Sequence, residues 1–214
     1  MFELFDPAAD FAVHESAHLP RWYQPGAACF ITFRTADSIP ADISRRWHAS
    51  RLDWMQRHGI FLNQPNWKDR FAELPTHIRR EYHDRFSKQF LDNLDRDWGN
   101  CVLKRGVLAK HVADALLHFD AQRYHLGDYI VMPNHVHLIA SFIGDTELEK
   151  QCYSWKKFSA RGINRELGVR GRFWQEESFD HLIRSPEQFA AIVRYIRCNP
   201  QHLKAGDFLL SPPK

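Results

Sequence analysis

Apolar and polar positions switch between two periods along the chain, and the switches mark its elements. Residues 1–27 are irregular, broken by Pro7, Pro20, Pro25 and Gly26. Residues 28–35 (ACFITFRT) are dense in aromatic and β-branched side chains and read as a strand. From 38 to about 119 the pattern is mostly helical. It predicts one helix after Pro40 ending at Gly59, a loop over 60–74, and helices at about 76–93 and 107–119. Two strands follow, 124–132 and 135–142, joined at Pro133-Asn134 as an antiparallel hairpin. A helix over 147–167 stops at Gly168, and 173–183 reads as the last strand. The final helix, 186–199, is well punctuated: Ser185 with Gln188 makes a capping box, Pro186 takes the first helical position and Pro200 closes it.

This element order is that of a ferredoxin-like βαββαβ antiparallel sheet, an α+β fold. Its first crossover is enlarged by a helical insertion at about 60–105, and a further helix closes the chain. A length of 214 residues suits one domain over 1–214. No apolar run approaches the ~20 residues that span a bilayer, so no membrane partner is expected. The start, MFELFDPAAD, lacks the basic and apolar stretches of a secretory signal. Cys29, Cys101, Cys152 and Cys198 form no CxxC pair, which fits reduced thiols and a cytoplasmic protein.

Charge changes this picture in one place. The net charge is +3, but residues 150–172 hold seven cations (Lys150, Lys156, Lys157, Arg161, Arg165, Arg170, Arg172) against one acid, Glu166. On the helix predicted there, Leu148, Cys152, Trp155 and Ser159 share one face, while Lys150, Lys157, Arg161 and Arg165 share the other. The ridge is either a solvated face or a contact for a polyanion.

The candidate chemistry sits in YIVMPNHVHLIASF, residues 129–142. Alternate side chains of a strand share a face, so His135 and His137 present two imidazoles side by side. Such a pair is half of a divalent metal site, or else the polar face of a half-buried strand. On the final helix, Tyr195 and Asn199 are four apart and stack on one face beside the apolar stripe of Phe189, Ile192, Val193 and Ile196. Taken singly, the tyrosine is a packing residue and the asparagine a helix cap.

Taken together with the histidines, these residues resemble the His-hydrophobic-His (HUH) single-tyrosine transposases, within them the REP-associated tyrosine transposase branch. The resemblance lies in phrases that occur in family order: LPRWYQPGAACFITFRTADSIP (19–40), RYHLGDYIVMPNHVHLIA (123–140), WKKFSARGIN (155–164), and FWQEESFDHLIRS followed by YIRCNP. Residues 41–122 carry little of it.

The resemblance implies cleavage and rejoining of single-stranded DNA through a covalent 5′-phosphotyrosine, with Tyr195 as nucleophile. It implies Mg²⁺ or Mn²⁺ held by His135, His137 and Asn199, no small-molecule cofactor, and a hairpin-forming repetitive palindrome as substrate. Phosphate contacts are expected from Lys157, Arg161, Arg165, Arg170 and Arg172. His181, in the phrase FDHLIR, is either a DNA contact or an ordinary strand hydrogen bond. Monomer and homodimer both fit, as does association with the nucleoid. Two other readings stay open: a silent DNA-binding protein of the same fold, and an unrelated metallohydrolase using the two histidines. The latter lacks an obvious third histidine or carboxylate on the strand pair and leaves Tyr195 without a role.

Overall fold

In the computed structural model, which describes residues 2–6, 8–9, 12–14 and 21–213, two short strands form a ribbon near the amino terminus. They are β1 (Ala12–His14) and β2 (Arg21–Tyr23), in a stretch predicted to be irregular. Leu19 and Pro20 of the first signature phrase lie outside the described residues. The chain continues as β3 (Cys29–Arg34), α1 (Ala41–Arg57), α2 (Trp67–Glu73) and α3 (Thr76–Tyr82). A turn of π-helix (His83–Ser87) leads into α4 (Lys88–Leu94), then α5 (Gly106–Leu117), β4 (Tyr124–Val131) and β5 (His135–Phe142). It ends with α6 (Leu148–Leu167), β6 (Phe179–Leu182), α7 (Pro186–Cys198) and β7 (Leu209–Leu210).

Five strands make one antiparallel sheet in the order β6-β3-β5-β4-β7. The first four have the expected ferredoxin-like arrangement; β7 adds an edge that no sequence pattern announced. Both faces of β5 are buried, which is why its sequence is a near-continuous apolar run. One face carries Ile31, Phe33, Val136 and Leu138, packed under Leu108 and Val112 of α5 and Cys152, Trp155 and Ile163 of α6. The other carries Phe30, Ile130 and Ile139, covered by Ile196 and Tyr195 of α7. His135 and His137 alternate with Val136, so they belong to the α7 side.

The enlarged crossover is a helical unit with its own core of Trp54, Met55, Ile60, Trp67, Phe71, Tyr82 and Phe86. It begins with α1, at 41, not at about 60 as expected. Inside it, α2 occupies part of the predicted loop. Seven residues are too few to reveal a period, and Trp67 and Phe71, one turn apart, are held by packing. The last strand is shorter than the predicted 173–183. Ahead of β6, Trp174 makes only an isolated bridge with Thr35 and turns its indole N–H to Ser159 Oγ, 2.9 Å away. No helix among the described residues is long and apolar enough to cross a membrane.

Candidate metal and nucleophile site

The hairpin of β4 and β5 is pinned at its turn. Asn134 is fully buried and donates from Nδ2 to the Trp98 carbonyl at 2.9 Å. Its Oδ1 must therefore be the atom facing His135 Nδ1, 2.7 Å away, and can only accept. His135 thus carries its proton on Nδ1 and presents a lone pair at Nε2. His137 Nδ1 meets Thr32 Oγ1 at 2.7 Å, because β3 and β5 pair with Thr32 opposite His137. The two Nε2 atoms face each other at 3.0 Å.

That spacing suits a cation. Two nitrogens bound at right angles to one ion, each at about 2.1 Å, are about 3.0 Å apart. Both rings are fully buried, and burial holds both in the neutral form that metals require. His135 is pushed down to about 3 by burial and then by His202; His137 lies well below the ordinary imidazole value, through burial and then His135.

A carboxylate that no sequence pattern singled out joins them. Asp95, just past α4, places Oδ1 3.6 Å from His135 Nε2. Ligand atoms of Asp95, His135 and His137 all lie within 4.8 Å of one another, so the three side chains can hold a metal ion. The carboxylate comes not from the strand pair but from the end of the helical unit, forty positions before His135 in the chain. No local pattern could have flagged it, since an acid at a helix end is ordinary.

The last helix brings the remaining expected residues to the same place. Ser185 Oγ accepts from the Gln188 N–H at 3.2 Å, half of the predicted capping box, while Gln188 Oε1 accepts from the Arg184 N–H at 2.8 Å, and α7 packs along the sheet. The Tyr195 hydroxyl lies 3.2 Å from His137 Nε2 within one chain, its ring edge-on to Phe30. Burial, followed by the nearby charge of Asp95, pushes this hydroxyl far above the ordinary phenol value. Asn199 donates from Nδ2 to Asp95 Oδ1 at 3.3 Å, while its own Oδ1 is buried without a hydrogen-bond partner. An unsatisfied buried acceptor at the end of the helix that carries Tyr195 is a further fit to a cation.

Other expected residues lie elsewhere. Lys157, Arg161, Arg165, Arg170 and Arg172 are exposed, but α6 covers the opposite face of the sheet from the histidines. Arg161 and Arg165 line a groove with His111, His118 and Phe158, and Arg172 lies 3.6 Å from Glu176. Trp155 is core, its indole N–H on Tyr124 Oη at 2.9 Å. His181 accepts from Gln188 Nε2 at 2.6 Å.

No family model matches the chain, and no curated protein does. A solved structure does. It is that of a REP-associated tyrosine transposase bound to a REP hairpin, with 15% identity and a TM-score of 0.44 over 85% of this chain and 71% of that one.

Proposed function

We propose that this protein is an HUH-type enzyme that cleaves and rejoins single-stranded DNA, with Tyr195 as its nucleophile. The observation that carries the reading is the Tyr195 hydroxyl 3.2 Å from His137 Nε2, beside an imidazole pair whose Nε2 atoms face each other at 3.0 Å. In the reaction, Tyr195 Oη forms a bond to the scissile phosphorus and the bond to the 3′ oxygen breaks. The phenol proton is lost to solvent, and the leaving 3′ oxygen takes up a proton. The product phosphotyrosine is a diester like the bond it replaced, so a 3′-hydroxyl can attack it in reverse without ATP.

Tyr195 alone is a weak nucleophile, raised as it is by burial and by Asp95. His135, His137 and Asn199 are the residues that would hold Mg²⁺ or Mn²⁺, which would neutralise charge on the phosphate and favour the phenolate. This chain's other residues fix the arrangement: Asn134 sets the tautomer of His135, Thr32 holds the ring of His137, and α7 holds Tyr195 on the sheet. The exposed cations of α6 and the segment after it would take up the DNA backbone beyond the scissile phosphate. Resemblance in the signature phrases supports a hairpin of repetitive palindromic DNA as the substrate.

The test is incubation with labelled hairpin DNA carrying a single-stranded flank, in Mn²⁺, followed by denaturing electrophoresis. A protein–DNA adduct lost in Tyr195→Phe, with DNA binding retained, is the expected result. The carboxylate at the site favours a second reading, a metallohydrolase, and metal-dependent hydrolysis with no adduct at any time would establish it instead.

A further inference from the structure

Asp95 does not belong to the signature that relates this chain to single-tyrosine transposases, and its position raises its own question. It heads a seven-residue arm, 95–101, that leaves the helical unit and lies against the hairpin turn. Three of these residues adopt left-handed backbone: Asp97 at φ 51°, Gly99 at φ 88° and Cys101 at φ 48°. For a non-glycine residue that conformation costs about 1 kcal/mol, so two of them in one arm require support from outside it. The support is visible. Asn100 N–H donates to Asp37 Oδ2 at 2.8 Å, and the Trp98 carbonyl accepts from Asn134. Gly99 passes so close that a β-carbon there would sit 2.6 Å from the Asp37 carbonyl oxygen.

The arm therefore holds one carboxylate over the imidazole pair. Asp95 Oδ1 is 3.6 Å from His135 Nε2, beyond hydrogen-bonding reach, so the two are near neighbours with no bond between them. One carboxylate and two imidazole Nε2 atoms, the latter 3.0 Å apart, are the donor set of a two-histidine, one-carboxylate metal centre. Its second feature is mechanical. His135 and His137 belong to the sheet, whereas Asp95 belongs to the helical unit, whose core is separate.

We propose that Asp95 is a protein ligand of the divalent ion together with His135 and His137, and that ion binding thereby fastens the helical unit to the sheet. This rests on the metal-binding part of the function proposed above, and not on Tyr195 being the nucleophile. The site then presents one negative charge to the ion, which strengthens binding relative to a neutral set. Metal binding then adds to the hold that the hydrogen bonds with Asp37 and Asn134 already give the arm.

Two measurements on the full chain test it. Calorimetric titration with Mn²⁺ should give an affinity weaker by about 10-fold or more in Asp95→Ala and Asp95→Asn than in the parent. Hydrogen exchange should slow over residues 88–101 of the parent when Mn²⁺ is added, and this slowing should vanish in Asp95→Asn, whose near-identical shape keeps the fold. Mn²⁺ affinity within about twofold of the parent in both variants would overturn the proposal. So would exchange over 88–101 of the parent that ignores Mn²⁺. A parent that binds Mn²⁺ through Asp95 yet forms no DNA adduct would sink the nuclease reading and leave this one standing. An adduct formed while Asp95→Ala binds Mn²⁺ normally would do the reverse.

Discussion

The two imidazoles can meet an ion only because their other ring nitrogens are already engaged. Thr32 Oγ1 is 2.7 Å from His137 Nδ1 and Asn134 Oδ1 is 2.7 Å from His135 Nδ1. Thr32→Val keeps the shape of the strand and removes the hydrogen-bond partner of His137 Nδ1, so Mn²⁺ affinity should fall about 10-fold with little change in melting, read by calorimetry. Burial of the two rings also has a consequence for acid stability. Both are held below the ordinary value of 6.5, His135 to about 3. Below pH 6.5 the unfolded chain takes up protons that the native chain refuses. Stability of the metal-free protein is thus unaffected above that value and falls as pH drops from there towards 3. The limiting slope is about 1.4 kcal/mol per pH unit for each ring. Urea unfolding in chelator at pH 7 and pH 5 should reveal it, and His135→Gln should shallow the slope. At this scale the sequence was half legible. Strand alternation paired the histidines and helical spacing paired Tyr195 with Asn199, because both are local geometry. Thr32 and Asp95 were hidden because their roles depend on strand register and on a long-range approach.

The decisive element is α7, which carries the tyrosine to the sheet. Beyond its apolar stripe, it is tied by an ion pair between Arg197 and Asp128 of β4, both largely buried. Asp128 reaches it from an irregularity in β4 between Leu126 and Tyr129. There Gly127 leaves no room for a side chain: a β-carbon would lie 2.9 Å from Ile139 Cβ. Arg197→Ala should lower stability by about 2 kcal/mol in denaturant titration. It should also slow adduct formation more than it weakens DNA binding, since it touches the placement of Tyr195 and no proposed DNA contact. The bounds of β5 and α7 were readable because Pro133, Ser185, Pro186 and Pro200 punctuate them with backbone chemistry. The residues of α2 and β7 were not, because elements of seven and two residues exist only through tertiary support.

For the whole molecule, the sheet separates two features that the sequence placed side by side. The basic ridge of α6 stands on one side and the histidine–tyrosine cluster on the other. The βαββαβ order was legible from periodicity; this separation was not, since the order says little about which face each helix covers. A DNA that reaches both must pass around an edge of the sheet. If it does, Arg161→Ala with Arg165→Ala should reduce the salt dependence of hairpin binding, by about 0.7 to 0.9 in log–log slope per lost phosphate contact. An unchanged slope would confine DNA to the α7 side. The proposed reaction itself is a covalent bond between Tyr195 and DNA, formed beside a histidine pair that would hold the metal. Mass spectrometry of the Mn²⁺-treated protein after digestion of an excess of hairpin DNA measures it directly. A nucleotide adduct on the peptide containing Tyr195, absent in Tyr195→Phe and in His137→Ala, is the predicted result. Cleaved DNA with Tyr195 unmodified under every condition, or an adduct that persists in Tyr195→Phe, would contradict it.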